Sequence, residues 1–115
     1  MAEKLVLSFG NQVGCRFSVT TLVPGLLWGP PVSGRRLSFS HKFLTAWLSG
    51  EAIAIINLNY NISDVRDVAR ACLLSIEQPR VTGRYCLCNE SMPLSEVLQI
   101  VHENFMDLKV PTRKV

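Results

Sequence analysis

The segment between positions 65 and 76 constrains the fold most, because its apolar residues recur at helical spacing. They occupy positions i, i+3, i+4, i+7, i+8 and i+11: Val65, Val68, Ala69, Cys72, Leu73 and Ile76. This stripe predicts an amphipathic helix over 64–77, with Pro79 and Gly83 beyond its end. A helix that is apolar on one face needs another layer to cover that face, so the segment predicts a packed protein.

Two aspartates and an arginine stand where this helix begins: Asp64, Arg66 and Asp67. Carboxylates in a first helical turn are stabilised by unsatisfied N–H groups and by the positive end of the helix dipole. A catalytic pair of carboxylates would need both groups in one pocket with separated pKa values. Because capping already explains the spacing, we interpret Asp64 and Asp67 as capping residues, with Arg66 paired to neighbouring acid groups or carbonyls.

The remaining pattern predicts further helices and strands. Three helices are predicted over 2–13, 38–49 and 93–105. Ser91 lies near the cap position of the last helix. Two strands are predicted over 15–23 and 84–88. The run 52–62 is either one strand or two short strands around a polar turn, and its periodicity fits both. The order of these elements is typical of an α/β layered fold.

A stretch rich in glycine and proline, residues 24–36, is predicted as a loop. It is not a phosphate-binding turn, because Pro30 and Pro31 have no N–H to donate and the Gly-x-Gly-x-x-Gly spacing is absent. The helix that follows places four apolar residues on one face: Phe39, Phe43, Ala46 and Trp47. His41 falls off that face and is expected to be an exposed bystander.

Composition limits the classes of function that remain. The chain has 115 residues, 48% hydrophobic and 18% charged, which predicts one folded domain at most. The net charge of +3 is scattered, without a basic stripe between aromatic residues, so nucleic-acid binding is not expected. The four cysteines form no Cys-x-x-Cys pair and the two histidines are far apart, so no metal site is expected.

Cysteine usage and hydropathy also predict a location. Free cysteine behaves as a small core hydrophobe, so the four cysteines are expected to be buried free thiols in a reducing, cytoplasmic compartment. No apolar run approaches the ~18 residues of a membrane-spanning helix, so no membrane span is expected.

Three segments, in this order, resemble one enzyme family: "LVPGLLWGP", "SDVRDVARACLLSIEQPRVTGRYCLC" and "FMDLKVPT". They are similar to the C-terminal portion of extended short-chain dehydrogenase/reductases of the dihydroflavonol 4-reductase and cinnamoyl-CoA reductase type, within the NAD-dependent epimerase/dehydratase superfamily. The resemblance implies the C-terminal part of a Rossmann-type NAD(P)-binding fold plus a small substrate lobe, with an incomplete sheet. It divides one partial domain, 1–115, into the end of the Rossmann core with one parallel strand, 1–30, and substrate-lobe helices and short strands, 31–115.

The resemblance implies hydride transfer between NADP or NAD and a carbonyl or hydroxyl group of a small substrate. Enzymes of the family use a glycine-rich cofactor turn and a Tyr-x-x-x-Lys motif, and neither occurs in this sequence. Tyr60 is followed four residues later by Asp64, and Tyr85 by Asn89. The resemblance places the missing motif just before Met1, so we expect a piece of a longer enzyme that is inactive alone.

Few site residues carry over from the family. Pro24, Gly25 and Leu26 match a segment that lies against the nicotinamide end of the cofactor. Ser38 or Ser40 matches a serine near the cofactor phosphate, and the spacing of the loop leaves the choice open. Trp28 stands where smaller aliphatic residues are common, on the substrate side. No catalytic residue and no metal ligand is carried over.

A second hypothesis is a non-catalytic module that pairs with a full-length relative. The helix at 2–13 matches the end of a long helix through which relatives often dimerise. The strand at 15–23 would need neighbours on both edges in a complete sheet. On either hypothesis we expect a compact but marginal fold with exposed apolar surface.

Overall fold

The computed structural model describes residues 2–31, 38–52, 54–56, 58–78, 80–108 and 110–111. That part of the chain contains four helices and five strands, with these bounds: α1 Ala2–Gly10, β1 Thr20–Pro24, β2 Leu26–Trp28, α2 Phe39–Leu48, β3 Asn59–Asp64, α3 Val65–Glu77, β4 Gly83–Leu87, β5 Glu90–Pro93 and α4 Leu94–Asn104.

The strands form two small sheets. In the first, β1 and β4 run parallel, with Thr20 opposite Gly83 and Pro24 opposite Leu87. In the second, β3 is central and pairs with β2 in parallel and with β5 antiparallel. The α/β fold class is confirmed. Because β1 pairs with a strand from the later part of the chain, strand pairing joins the two predicted parts, and their division at residue 30 stays a prediction.

The buried core lies beside the second sheet. Its buried hydrophobic residues are Trp47, Ile55, Leu94, Val97 and Leu98. Helix α2 contributes an aromatic layer, in which the ring of Phe43 lies 6.1 Å from that of Trp47 and 5.5 Å from that of Tyr60. We call β2, β3, β5, α2 and α4 the core lobe, since they enclose these residues.

The other half of the chain is open. We call α1, β1, β4 and α3 the open half, because neither of its helices has a buried residue. Leu5 is 65% exposed and Ile76 is 79% exposed, although both belong to apolar faces. The chain exposes 9031 Å², against about 6,300 Å² for a compact protein of 12.8 kDa. In the described part of the chain β1 pairs with β4 alone, so the sheet is incomplete.

We expect the purified chain to bind a hydrophobic dye, to melt over a broad range and to self-associate as concentration rises, because an open strand edge and uncovered apolar faces favour association. Dye fluorescence, circular dichroism and light scattering on one sample measure these effects. Leu5→Lys should weaken dye binding more than Ile100→Lys, which changes a half-exposed residue of the core lobe. A dye-negative monomer with a sharp melt above ~65 °C would contradict the expectation.

The structure corrects three predicted boundaries. The strand predicted over 15–23 is wrong for residues 15–19, because β1 begins only at Thr20, opposite the first residue of β4. Helix α1 ends at Gly10 rather than 13, where a Cβ would overlap Val19. The predicted loop 24–36 contains β2, which forms because β3 offers a parallel partner, and its residues 32–37 lie outside the described part.

Other elements agree with the sequence prediction more closely. Helices α2 and α3 and strand β4 are confirmed to within a residue or two at each end. The ambiguous run contains β3, together with a bridge residue at Ile55. The expected cap position of Ser91 is wrong, because Ser91 belongs to β5, and Pro93 precedes α4 without a side-chain cap.

Side-chain burial differs from expectation at several positions. The thiols were expected to be buried, but Cys72, Cys86 and Cys88 are exposed and Cys15 is half-buried, because the elements that carry them belong to or border the open half. Phe39 is also exposed, at 78%, since it occupies the first turn of α2, beyond the core.

Candidate functional site

The carboxyl ends of the parallel strands mark the candidate site. Strands β1 and β4 end together at Pro24 and Leu87, and β2 and β3 end together at Trp28 and Asp64. Ligands of open α/β sheets bind outside the carboxyl ends of the strands, where the chain order changes direction. Because β1 and β2 are separated by one residue, Gly25, the ends of both sheets meet at this edge.

Ser63 connects the two sheets at that edge. Its side chain is buried, with 4% of the residue exposed, and it is the buried polar residue among those that the structure describes. The Gly25 N–H donates to Ser63 Oγ at 2.9 Å, and the Ser63 hydroxyl donates to the carbonyl oxygen of Leu87. One hydroxyl therefore joins the β1–β2 junction, β3 and the end of β4.

Gly25 passes so close to β3 that it has no room for a side chain. A Cβ at this position would overlap the carbonyl group of Asn61. Glycine is the residue that permits such close approach of two backbone segments. The segment Pro24, Gly25 and Leu26, predicted to line the cofactor, is thus held tightly against the core lobe.

The charge cluster at the beginning of α3 forms a helix cap. The carboxylate of Asp64 accepts the Arg66 backbone N–H at 2.8 Å, and the Arg66 guanidinium bonds the same carboxylate at 2.9 and 2.6 Å. The side-chain and backbone hydrogen bonds from Arg66 lower the pKa of Asp64 from 3.8 to about 2. The same contact raises the pKa of Arg66. The capping interpretation is confirmed for Asp64, and Asp67 lies in the first turn.

The lowered pKa of Asp64 predicts a pH effect of definite sign. Because its folded pKa is about 2 and its ordinary value 3.8, the carboxylate stabilises the folded state above pH 3.8 and loses that contribution as pH falls towards 2. Carboxyl NMR should give a midpoint near 2, which Arg66→Gln should move upward. The conservative change Arg66→Lys, which keeps the charge but loses the two-point contact, should have an intermediate effect. An Asp64 midpoint unchanged by Arg66→Gln would contradict this cause.

The serine predicted near the cofactor phosphate lies at the beginning of α2. Ser38 is the N-cap of that helix, and its Oγ lies 2.8 Å from Nδ1 of His41. Nε2 of His41 lies 2.8 Å from the carbonyl oxygen of Gly29, and Trp28 Nε1 donates to the carbonyl oxygen of Ser40 at 3.1 Å. The expectation that His41 is an exposed bystander is wrong, because its ring is half-buried and joins α2 to the end of β2.

Two cavities open beside the strand ends. One, of about 300 Å³, is lined by apolar side chains that include Trp28, Ile62 and Met92. The other, of about 250 Å³, includes Cys86 and Cys88. Both are also lined by Ser63, Asp64, Asp67 and Asn89. Apolar walls with a few polar groups suit a small, partly polar molecule.

The sequence prediction missed Ser63, Asn89 and Met92. Each belongs to or adjoins a strand that short-range periodicity did not resolve, and Ser63 stands beside Asp64 like an ordinary residue of a polar turn. Within the described residues, His, Cys, Asp and Glu form no group of three that could hold a metal ion. None of the described helices is long and apolar enough to cross a membrane.

Known proteins share the sequence and the fold. No protein-family model matches the chain. Cinnamoyl-CoA reductase 1 of Arabidopsis thaliana is 34% identical over 113 residues, which cover 98% of this chain and 32% of that protein. Cinnamoyl-CoA reductase 1 of Oryza sativa subsp. japonica is 31% identical over 91% of this chain and 30% of its own length. The chain thus spans about a third of the curated relatives it matches.

Solved structures agree with these relatives. Vestitone reductase from alfalfa (Medicago sativa L.) superposes with a TM-score of 0.79 and 28% identity, over 95% of this chain and 34% of that one. MoeE5 in complex with UDP-glucose and NAD superposes with a TM-score of 0.75 and 25% identity, over 99% of this chain and 39% of that one. The chain therefore belongs to the extended short-chain dehydrogenase/reductases and corresponds to their C-terminal portion.

Proposed function

We propose that the chain is the C-terminal portion of an NAD(P)-dependent reductase that transfers hydride between the nicotinamide and a carbonyl or hydroxyl group of a small substrate. The observation that carries the proposal is the 34% identity to a cinnamoyl-CoA reductase over 98% of the chain. The fold shared with vestitone reductase supports it, since that enzyme is also named for a reduction. In this proposal the chain alone is inactive, and the protein acts in the cytoplasm.

The nicotinamide side of the site is assigned to Pro24, Gly25 and Leu26. Two features fit a bound NADP or NAD. The segment lies at the carboxyl ends of the strands, and the Gly25 contact with β3 holds its backbone in one position. A cofactor bound there would supply the hydride, while these residues would form one wall of its pocket.

The phosphate side is assigned to Ser38, with Ser40 as the alternative. Helix α2 has ten residues, and the N-terminus of a helix attracts anions through its dipole and free N–H groups. The Ser38 hydroxyl is already engaged by His41. A phosphate would therefore be held by first-turn N–H groups, with Ser38 keeping the turn in place.

The substrate is proposed to be a small carbonyl compound with an aromatic or similarly apolar body. The cavity of about 300 Å³ supports this class, because Trp28, Ile62 and Met92 offer it an apolar wall. The carboxylates of Asp64 and Asp67 line the same cavity and would face a polar group of the substrate. Asp64 is committed to the α3 cap, so we assign it no proton transfer.

A second candidate function is pairing with a full-length relative without catalysis. The observation that favours it is the exposure of α1, where Leu5 is 65% and Phe9 55% exposed. In this candidate the partner's helices would cover α1. Co-purification separates the two candidates, because a folded monomer without a partner would count against pairing.

The reductase proposal is tested on the transcript that encodes Met1. We expect its upstream sequence, in frame, to encode a glycine-rich turn after a first strand and a Tyr-x-x-x-Lys motif. The protein read from that frame should oxidise NADPH or NADH in the presence of an aromatic aldehyde, and Tyr→Phe in the motif should abolish the turnover. An upstream frame without either motif would overturn the proposal.

A further inference from the structure

Two sheets of different construction meet at a single buried hydroxyl. The open half contains the parallel pair β1 and β4, and the core lobe contains the mixed sheet around β3. Ser63 belongs to β3, yet both of its hydrogen bonds leave that sheet, one to Gly25 and one to Leu87. We call this three-membered contact the Ser63 bridge.

The chemistry of the bridge needs a hydroxyl. Ser63 Oγ accepts from the Gly25 N–H and donates to the Leu87 carbonyl, and a hydroxyl can do both at once. Without it the Gly25 N–H keeps only the Leu87 oxygen, at 3.4 Å. With 4% of Ser63 exposed, water does not readily replace the lost partner.

We infer that Ser63 is a positioning residue of the reductase, whose hydroxyl fixes the segment Pro24, Gly25 and Leu26 relative to the core lobe. This inference rests on the proposed function, which assigns that segment to the nicotinamide and the core lobe to the substrate. The bridge would then set the distance between the hydride donor and its acceptor. Alignment at that distance governs the rate of transfer.

A matched pair of variants separates the hydroxyl from the shape of the side chain. Ser63→Thr keeps the hydroxyl, and Ser63→Val has nearly the same shape without it. Both β-branched residues suit a strand such as β3, so any loss confined to Ser63→Val belongs to the hydrogen bonds. Ser91→Val on the exposed face of β5 is the control for adding an apolar residue to the same sheet.

The measurement is amide hydrogen exchange and residual dipolar couplings on the isotopically labelled chain. In Ser63→Val we expect the Gly25 amide to exchange about tenfold faster, a change equivalent to one hydrogen bond. The couplings of α3 and α4 should also cease to fit a single relative orientation. Ser63→Thr and Ser91→Val should match the unaltered chain, whatever their melting temperatures.

Two results would overturn the inference. One is a Gly25 amide that stays protected in Ser63→Val with an unchanged orientation of α3 against α4. The other is equal acceleration in Ser63→Thr and Ser63→Val, which would assign the effect to shape. Failure of the reductase proposal appears elsewhere, as an upstream frame without the cofactor turn, and would leave a measured bridge standing without its catalytic meaning.

Discussion

Leu94→Ala is expected to lower the free energy of unfolding of the core lobe by about 2 to 5 kcal/mol. Leu94 is 0% exposed and begins α4, where it packs with Leu98 and Trp47 in the buried cluster. Its backbone N–H also donates to the Leu58 carbonyl oxygen at 3.2 Å, so the helix start cannot move easily to fill a void. Removing the side chain therefore loses burial and leaves a cavity.

Urea unfolding followed by circular dichroism and tryptophan fluorescence measures this loss, because Trp47 reports on the same core. Ile100→Ala is the matched control, since Ile100 lies on the same helix and is 46% exposed. It should cost under about 1 kcal/mol. Equal losses for the two variants would show that the cluster around Leu94 is not the core that stabilises the chain.

Local patterns predicted the helices well, for a physical reason. Helical hydrogen bonds join residues four apart, so the periodicity of α3 and the Asp64 cap are visible within a few residues. Strand limits depend on distant partners. Strand β1 begins at Thr20 because β4 begins at Gly83, and nothing near residue 20 encodes that limit.

The candidate site was partly visible in the sequence, through the resemblance. Pro24, Gly25 and Leu26 were predicted from the family, and the structure places them at the strand ends, while their contact with a cofactor stays a prediction. Ser63 was not visible, because its partners lie 38 and 24 residues away along the chain. His41 was misjudged for the same reason, since its contact with Gly29 joins separate elements.

The two halves of the molecule explain why the chain can fold yet leave apolar surface exposed. The core lobe closes around Leu94 and Leu98 with its own sheet and two helices. The open half presents α1 and α3 with no buried residues. A parallel pair such as β1 and β4 normally belongs to a larger sheet covered on both faces. In the solved relatives this fold is one part of a chain about three times as long.

The 115-residue chain, purified alone, is expected to reduce no carbonyl substrate with NADH or NADPH. A reductase of the proposed type needs a proton donor at the carbonyl oxygen, a contribution of about 10²- to 10⁴-fold. Neither tyrosine of the chain is placed for that role. The ring of Tyr60 packs against Phe43 in the core lobe, and the Tyr85 hydroxyl donates to the carbonyl oxygen of Thr82.

Cofactor oxidation followed by absorbance, with an aromatic aldehyde at high concentration, tests this expectation. Tyr60→Phe and Tyr85→Phe should leave the signal at background, as should the unaltered chain. Turnover that survives repurification and disappears in one of these variants would contradict the expectation and identify the proton donor within the chain. Turnover that persists in both would place the donor on another group, and among the residues lining the cavity beside Trp28, Asp67 would be the first to test, because Asp64 is held by Arg66.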